Sequence, residues 1–143
     1  VLRIAEDHAI EGAARILNRE SGLLGLGGAS DMRALHAAGT EEARFAIDHF
    51  CYWATRHAGS MIAAMGGLDC IAFTGGIGEH DAVVRARICA GLSFLGVTLD
   101  ARANAAHALR IDAGGAVTAA IVPAAEEAYI ADATRGLTDR SGP

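Results

Sequence analysis

Aromatic residues make up only 5% of this 143-residue chain, and its net charge is -5 with no run of basic residues anywhere. With so few rings, the core falls to Ala, Leu, Ile and Val, which favours helices packed closely on a sheet. The lack of a basic stripe argues against nucleic acid as a partner. A nucleotide is a different matter, since it needs only one or two local cations and oriented N–H groups. No apolar run approaches the roughly 18 residues of a membrane span, and Arg3, Glu6 and Asp7 give the first residues no likeness to a signal peptide. The three cysteines, Cys51, Cys70 and Cys89, form no C-x-x-C pair. An odd set of thiols in apolar stretches reads as reduced, buried and structural, and so as cytoplasmic. No lysine occurs, so the G-K-[ST] of a Walker A loop cannot be formed, and G-x-S-x-G is absent. His8, His36, His49, His57, His80 and His107 are scattered without metal-ligand spacing, and His80 stands apart only by its location.

What remains is a chain with 52% hydrophobic residues and 18 glycines, enough for one core with tight turns. Glu6 to Arg19 has helical spacing, and Ser21 to Ser30 is a glycine-rich connection. Asp31 to Ala38 suits a short helix closed by Gly39. Thr40 then caps a long helix ended by Gly66-Gly67. Ala43, Ile47, Phe50, Ala54, Ala58, Ile62 and Met65 form its apolar stripe. Cys70 to Thr74 is an apolar run without alternation, which predicts a central parallel strand covered on both faces. A helix from Asp81 to Phe94, an extended Val97-Thr98-Leu99 and a helix-compatible Ala101 to Leu109 follow. Val117 to Val122 is a second buried strand, and Pro123 separates it from a helix over Ala124 to Arg135. The tail from Thr138 to Pro143 reads as frayed. The class is α/β, with two strand–loop–helix units behind a helical N-terminal half.

Three segments carry chemistry. In Phe73-Thr74-Gly75-Gly76-Ile77-Gly78-Glu79-His80 a buried strand empties into a glycine turn that opens a helix. Glycine lets a ligand approach the backbone, and a helix start offers unpaired N–H groups. The plain alternative is a tight turn that binds nothing. A dinucleotide fingerprint would use Gly76 and Gly78 with Asp100 on a ribose, but Asp81 stands where its third glycine belongs. In Ser30-Asp31-Met32-Arg33 the guanidinium can stack on a base or pair with phosphate, and the carboxylate can accept from a hydroxyl. The plain alternative is that Ser30 or Asp31 simply caps the helix that holds Met32 and Leu35. In Val122-Pro123-Ala124-Ala125-Glu126-Glu127 a carboxylate past a strand can serve Mg²⁺, or just favour a helix start.

Together with Ser21 to Gly25 and Gly66-Gly67-Leu68-Asp69, these segments occur in an order that resembles the C-terminal half of acetate kinases, a family that includes propionate and butyrate kinases. The resemblance runs from about Ser21 to Arg135. It implies part of an actin-like ATPase (ribonuclease H-like) domain, with mostly parallel central strands flanked by helices. On that basis residues 1–143 are expected to be a C-terminal nucleotide-binding fragment of a homodimeric kinase that uses ATP and Mg²⁺ to phosphorylate acetate or another short acyl acid. The N-terminal domain and the catalytic residues would lie elsewhere, leaving the fragment inactive alone. Carried over by motif, Asp31, Met32, Arg33, Gly76, Ile77, Gly78, Glu79 and His80 would surround the nucleotide, and Glu126 would face the metal. His80 replaces the family's usual Asn, and Ala124-Ala125 replaces Thr-Asn. The helix carrying Phe50, Trp53 and Met61 would supply the dimer contact. Two other readings stay open: a dinucleotide-binding dehydrogenase lobe and a non-catalytic ATP-binding module.

Overall fold

The chain opens on helix α1 (Leu2–Arg15), which runs on through a π-helical turn over Ile16–Glu20. The expected helix is there, but Ala9 breaks it with a positive φ of 56°. The structure is a computed structural model and describes residues 1–139. The expected frayed tail lies outside the described residues from position 140 onward, and the last described helix continues through Thr138 to Asp139.

The glycine-rich connection is not all loop, because Gly22–Gly27 forms helix α2. Packing overrides its poor propensity. A Cβ on Gly27 would lie 2.6 Å from Leu35 Cδ2 and 2.7 Å from Ala46 Cβ, so only glycine permits the close approach. Helix α3 (Met32–Ala38) is capped by Asp31, whose side chain accepts from the amides of Arg33 and Ala34, and it ends on left-handed Gly39. Helix α4 (Glu41–Met65) starts at Thr40, whose hydroxyl accepts from Ala43 N, and stops at left-handed Gly66. Its inner face buries Ala43, Ala46, Ile47, Cys51 and Ile62, with Phe50, Ala54 and Ala58 packed alongside. Met65 departs from the expected stripe and is 66% exposed at the overhanging end.

Strands β1 (Cys70–Phe73) and β2 (Thr118–Ile121) pair in parallel, Cys70 opposite Thr118 and Phe73 opposite Ile121. The crossover between them carries α5 (Gly75–His80), α6 (Ala82–Gly91), a 3-10 turn (Ser93–Leu95) and α7 (Ala101–Ala105). The expected helix over Asp81 to Phe94 therefore ends early, with Asp81 as its cap. Helix α7 also stops short: His107 turns the chain with a φ of 52°, and the segment around Arg110 bridges antiparallel to Ala120. Val97 bridges Val117, the extended stretch expected there. With β1 on one side and the Arg110 segment on the other, β2 is the central strand. The expected position of β1 is thus corrected. Within this chain β1 is an edge strand with Cys70 and Ala72 exposed, so Cys70 is not a buried thiol, whereas Cys51 and Cys89 are. The core lies between the sheet and helices α3, α4 and α6, centred on Leu35, Ala46, Val84, Leu92, Ile111 and Ala119. Helix α8 (Glu126–Asp139) leaves the sheet after Pro123, starting two residues later than the expected helix over Ala124 to Arg135.

Candidate functional site

The start of α3 and the α5–α6 junction face each other across a cleft of about 590 Å³. From α3 come Asp31, Met32, Arg33 and His36; from the junction come Gly76, Ile77, His80, Asp81, Ala82 and Val83. Two sequence segments separated by the whole of α4 and β1 thus form one site. A volume of this size lies in the usual range for small-molecule pockets, about 300–1,000 Å³.

Each wall is held differently. Met32 is only 5% exposed and Leu35 is fully buried, so α3 is rooted in the core. At its start Asp31 Oδ1 accepts from Arg33 N at 2.9 Å and Ala34 N at 3.1 Å. The Ala34 amide, then the Arg33 guanidinium, hold the Asp31 carboxyl below the ordinary aspartate range. The Arg33 guanidinium reaches Asp31 Oδ2 at 3.4 Å and is otherwise open, with 93% of its side chain exposed. Asp31 therefore caps the helix and at the same time lines the cleft.

The opposite wall corrects an expectation. The glycine segment is not a turn that precedes a helix; it is itself the short helix α5. Gly75 enters it with a φ of 71°, and its N–H donates to Glu79 Oε1 at 2.9 Å, so that group is not open to a ligand. Gly76 lies on the cleft, and a Cβ built there meets nothing within 4 Å. Gly78 faces the other way. Its Cβ would sit 3.1 Å from the carbonyl carbon of Phe73, so this glycine serves the packing of α5 on β1. Neither Gly78 nor Glu79 lines the cleft, whereas Asp31, Met32, Arg33, Gly76, Ile77 and His80 do. Asp100 is not there either; it caps α7 by accepting from Arg102 N and Ala103 N. The ribose-binding role in the dinucleotide reading has no support in that geometry. Glu126 is exposed at the start of α8, outside the lining. Among the described residues no group of three or more His, Cys, Asp or Glu side chains could hold a metal ion.

Sequence reasoning missed four residues. His36 Nε2 lies 2.8 Å from Asp81 Oδ2, clasping one wall to the other at the cleft floor. The signal was available: His36 lies three and four positions after Arg33 and Met32, and so on their face of α3. Arg85 has no exposed surface. Its Nη1 donates to Gly78 O at 2.8 Å and Glu79 O at 3.0 Å, its Nε to Asn104 Oδ1 at 2.7 Å, and its Nη2 to Asn104 O at 2.8 Å. Burial lowers its pKa from the usual arginine value, and the guanidinium stays charged. Asn104 completes the knot by donating to Ala82 O. His107 Nδ1 lies 3.1 Å from Arg85 Nη2 and 2.9 Å from Glu79 O, and serves one as acceptor or the other as donor. A charge inside the apolar stripe of Val84, Ile88 and Leu92 was the one clue to Arg85.

A profile of the acetokinase family matches residues 2–132. An acetate kinase of Rhodopseudomonas palustris (strain TIE-1) is 48% identical over 128 residues, which are 87% of this chain and 32% of the relative. One from Shouchella clausii (strain KSM-K16) is 42% identical over 137 residues, 91% of this chain and 35% of the relative. Among solved structures, Porphyromonas gingivalis acetate kinase superposes with a TM-score of 0.84 at 32% identity, over 96% of this chain and 36% of that one. A propionate kinase from Francisella tularensis does so with a TM-score of 0.79 at 29% identity, over 85% and 33%. The chain spans about a third of the length of the relatives it matches.

Proposed function

Because this chain belongs to the acetokinase family, we propose that it is the nucleotide-side segment of a kinase that transfers the γ-phosphoryl group of ATP to acetate. Its α/β fold, a parallel strand pair with flanking helices, is part of the actin-like ATPase architecture of its structural neighbours. The observation that carries the reading is the convergence of Asp31-Met32-Arg33 and Gly76-Ile77-His80 on one cleft. Met32, Ile77, Ala82 and Val83 offer an apolar slot, and Asp31, Arg33, His36 and His80 offer polar edges. That mixture suits a planar base with a ribose, and the space beside Gly76 lets the ligand lie on the backbone of α5.

In the complete protein the oxygen–phosphorus bond to the γ-phosphoryl breaks as an acetate oxygen bonds to that phosphorus, giving ADP and acetyl phosphate. Little covalent work falls to side chains in such a transfer, and positioning dominates. This segment orients the adenosine, with Arg33 free to stack on the base or meet a phosphate. Glu126 is exposed beside Glu127, belongs to no group of three or more metal-binding side chains among the described residues, and cannot cage a cation by itself. It fits Mg²⁺, which keeps several waters and takes one or two carboxylates beside the phosphates. When bound, Mg²⁺ supplies charge neutralisation across those phosphates. The outward face of α4, with Phe45, Tyr52, Trp53 and Met61 exposed, is the proposed homodimer contact. Phe50 is withdrawn from that role because it packs against the core. A cytoplasmic location remains part of the proposal. Among the described residues no helix is long and apolar enough to cross a membrane.

The test is kinetic and uses the complete protein. Acetyl phosphate should form from ATP and acetate, and Arg33→Ala should raise the KM for ATP while leaving that for acetate unchanged. Glu126→Ala should lower kcat and raise the Mg²⁺ requirement far more than Glu127→Ala, whose side chain points about 100° away around α8. Tight binding of NADH in place of ATP, or equal effects of Arg33→Ala on both substrates, would overturn the assignment.

A further inference from the structure

Glu79 sits in the glycine segment, yet its side chain does not line the cleft. Half-buried, it turns back under α5, where its Oε1 takes two backbone amides: Gly75 N at 2.9 Å and Ala124 N at 2.9 Å. The first amide starts the helix that follows β1. The second lies 45 residues on, in the loop that follows β2. The last rung between the two chains is Val122 N to Phe73 O at 2.8 Å. Beyond it both have left the sheet, and the Glu79 carboxylate bridges them. The linkage runs further, because Ala124 O accepts from Glu126 N at 2.8 Å. From the glycine segment to the backbone of Glu126 there are thus two hydrogen bonds in series through one residue, Ala124.

We infer that Glu79 is a positioning residue, whose carboxylate fixes the loop after β2, and with it Glu126, against the cleft wall formed by α5. The inference rests on the proposed nucleotide role of that cleft, and it removes Glu79 from the ligand-contacting set that its place in the motif suggests. A carboxylate oxygen gripping two amides is stiff in a way that a water cannot match, since an ionised acceptor makes shorter and stronger hydrogen bonds than a neutral one. The two segments come from different strand ends and share no covalent link shorter than the whole crossover. Their relative position therefore depends on such a bridge.

The geometry separates two variants. In Glu79→Gln a single carbonyl oxygen can still accept both amides, whereas in Glu79→Ala nothing can. Both are made in the complete protein. Hydrogen exchange is followed by mass spectrometry over peptides covering 74–80 and 122–128, alongside kcat, the KM for ATP and the Mg²⁺ requirement. Glu79→Ala should speed exchange in both peptides while leaving the 70–73 strand protected. It should also lower kcat by roughly ten- to a hundredfold, as displacements on the ångström scale do, and raise the Mg²⁺ needed for half-maximal rate. Glu79→Gln should keep exchange slow and kcat within about fivefold of wild type, the loss of charge assistance alone. If Glu79→Gln is as slow as Glu79→Ala with both peptides still protected, the charge itself acts on the ligand and the inference falls. It falls equally if Glu79→Ala opens both peptides yet keeps full kcat and Mg²⁺ dependence. Should Glu79→Ala fail to fold, Ala124→Pro, which removes the distant N–H donor and leaves the Glu79 carboxylate in place, must reproduce the kinetic loss. If the wild-type protein makes no acetyl phosphate, the functional reading fails, and the exchange data still decide whether Glu79 joins the two segments.

Discussion

Replacing Gly76 and replacing Gly78 are two residues apart in sequence and should fail in opposite ways. Gly76 has no unusual φ, it lines the cleft, and a Cβ built on it meets no atom within 4 Å. Gly76→Leu therefore costs the fold nothing sterically and gains up to about 1 kcal/mol of helix propensity over glycine. The bulk then falls beside the place proposed for the nucleotide. Overpacking penalties of about 1–3 kcal/mol, at 1.4 kcal/mol per tenfold, predict a rise of roughly five- to a hundredfold in the KM for ATP. Gly78→Val instead drives a Cβ to 3.1 Å from the Phe73 carbonyl carbon and 3.5 Å from its Cα and Cβ. Phe73 cannot retreat, because its carbonyl is held by Val122 N. The same 1–3 kcal/mol then falls on stability, and exceeds what propensity returns.

The assay is a matched pair of thermal melts and ATP titrations on the complete protein. Gly76→Leu should melt at or above wild type with a raised KM for ATP and an unchanged KM for acetate. Gly78→Val should melt lower, and any kinetic loss should be recovered on cooling. A folded Gly76→Leu protein with wild-type KM for ATP would refute the placement of the nucleotide. A Gly78→Val protein of wild-type stability and weak ATP binding would refute the division of labour between the two glycines.

Arg85→Met should destabilise by about 2–6 kcal/mol, since a buried acceptor left unsatisfied costs about 1–3 kcal/mol and Gly78 O and Asn104 Oδ1 both lose their donor, whereas Glu79 O keeps His107 Nδ1 and Asn104 O keeps His107 N. Arg85→Lys should not rescue it in a chemical denaturation series, because one ammonium cannot span Asn104 and the end of α5. For Asp112 the Arg110 guanidinium, helped by the Gly114 and Ala119 amides, holds the carboxyl well below its usual range against the opposing effect of burial. A depressed folded-state pKa contributes stability above the unfolded value near 3.9 that is lost as pH falls further. The stability gap between wild type and Asp112→Asn should therefore be full at neutral pH and close in acid, as read by denaturant midpoints. Burial pushes the Cys89 thiol up to about 11 and raises that of Cys51. In this 143-residue chain at pH 8 a thiol reagent should react quickly with exposed Cys70 alone, and Cys70→Ala should abolish the fast phase.

The parts of this fold that were legible are those decided locally. Asp31 and Gly39 bracket α3, and Thr40 and Gly66 bracket α4, because caps and left-handed stops are written in single residues. Two buried strands were legible as unalternating apolar runs separated by helical sequence, and the structure pairs them in parallel. What failed was decided at a distance. Gly22–Gly27 reads as loop by propensity and becomes helix because Gly27 packs on Leu35 and Ala46. Cys70 reads as buried because its neighbours are apolar, yet β1 is an edge strand among the described residues and leaves Cys70 exposed. In the site, no spacing rule links Asp31 to Gly76. The resemblance to a family joined them, and the cleft shows both segments in one place. The same resemblance put Gly78 and Glu79 beside the ligand, because a motif records that residues matter and not which way they face.

Helix α5 makes the underlying reason concrete. It has six residues, three of them glycine, and buries none of its side chains. Glycine costs about 1 kcal/mol per helical position relative to alanine, and an isolated helix of this length does not persist in water. Propensity does not hold this wall of the cleft, and apolar burial adds only the half-buried Ile77, in contrast to α3, which Met32 and Leu35 root in the core. What holds α5 is polar and comes from both of its ends: Glu79 on the Gly75 amide at the start, and Arg85 on the Gly78 and Glu79 carbonyls at the finish. A surface proposed to let a ligand lie against bare backbone has few side chains left to present to a core. Its rigidity has to be supplied by hydrogen bonds from behind, and a buried network of that kind contributes fully only when every member is satisfied. That requirement accounts for a fully buried arginine in a stripe of valine, isoleucine and leucine, and for an asparagine behind it with its side-chain amide and carbonyl both engaged.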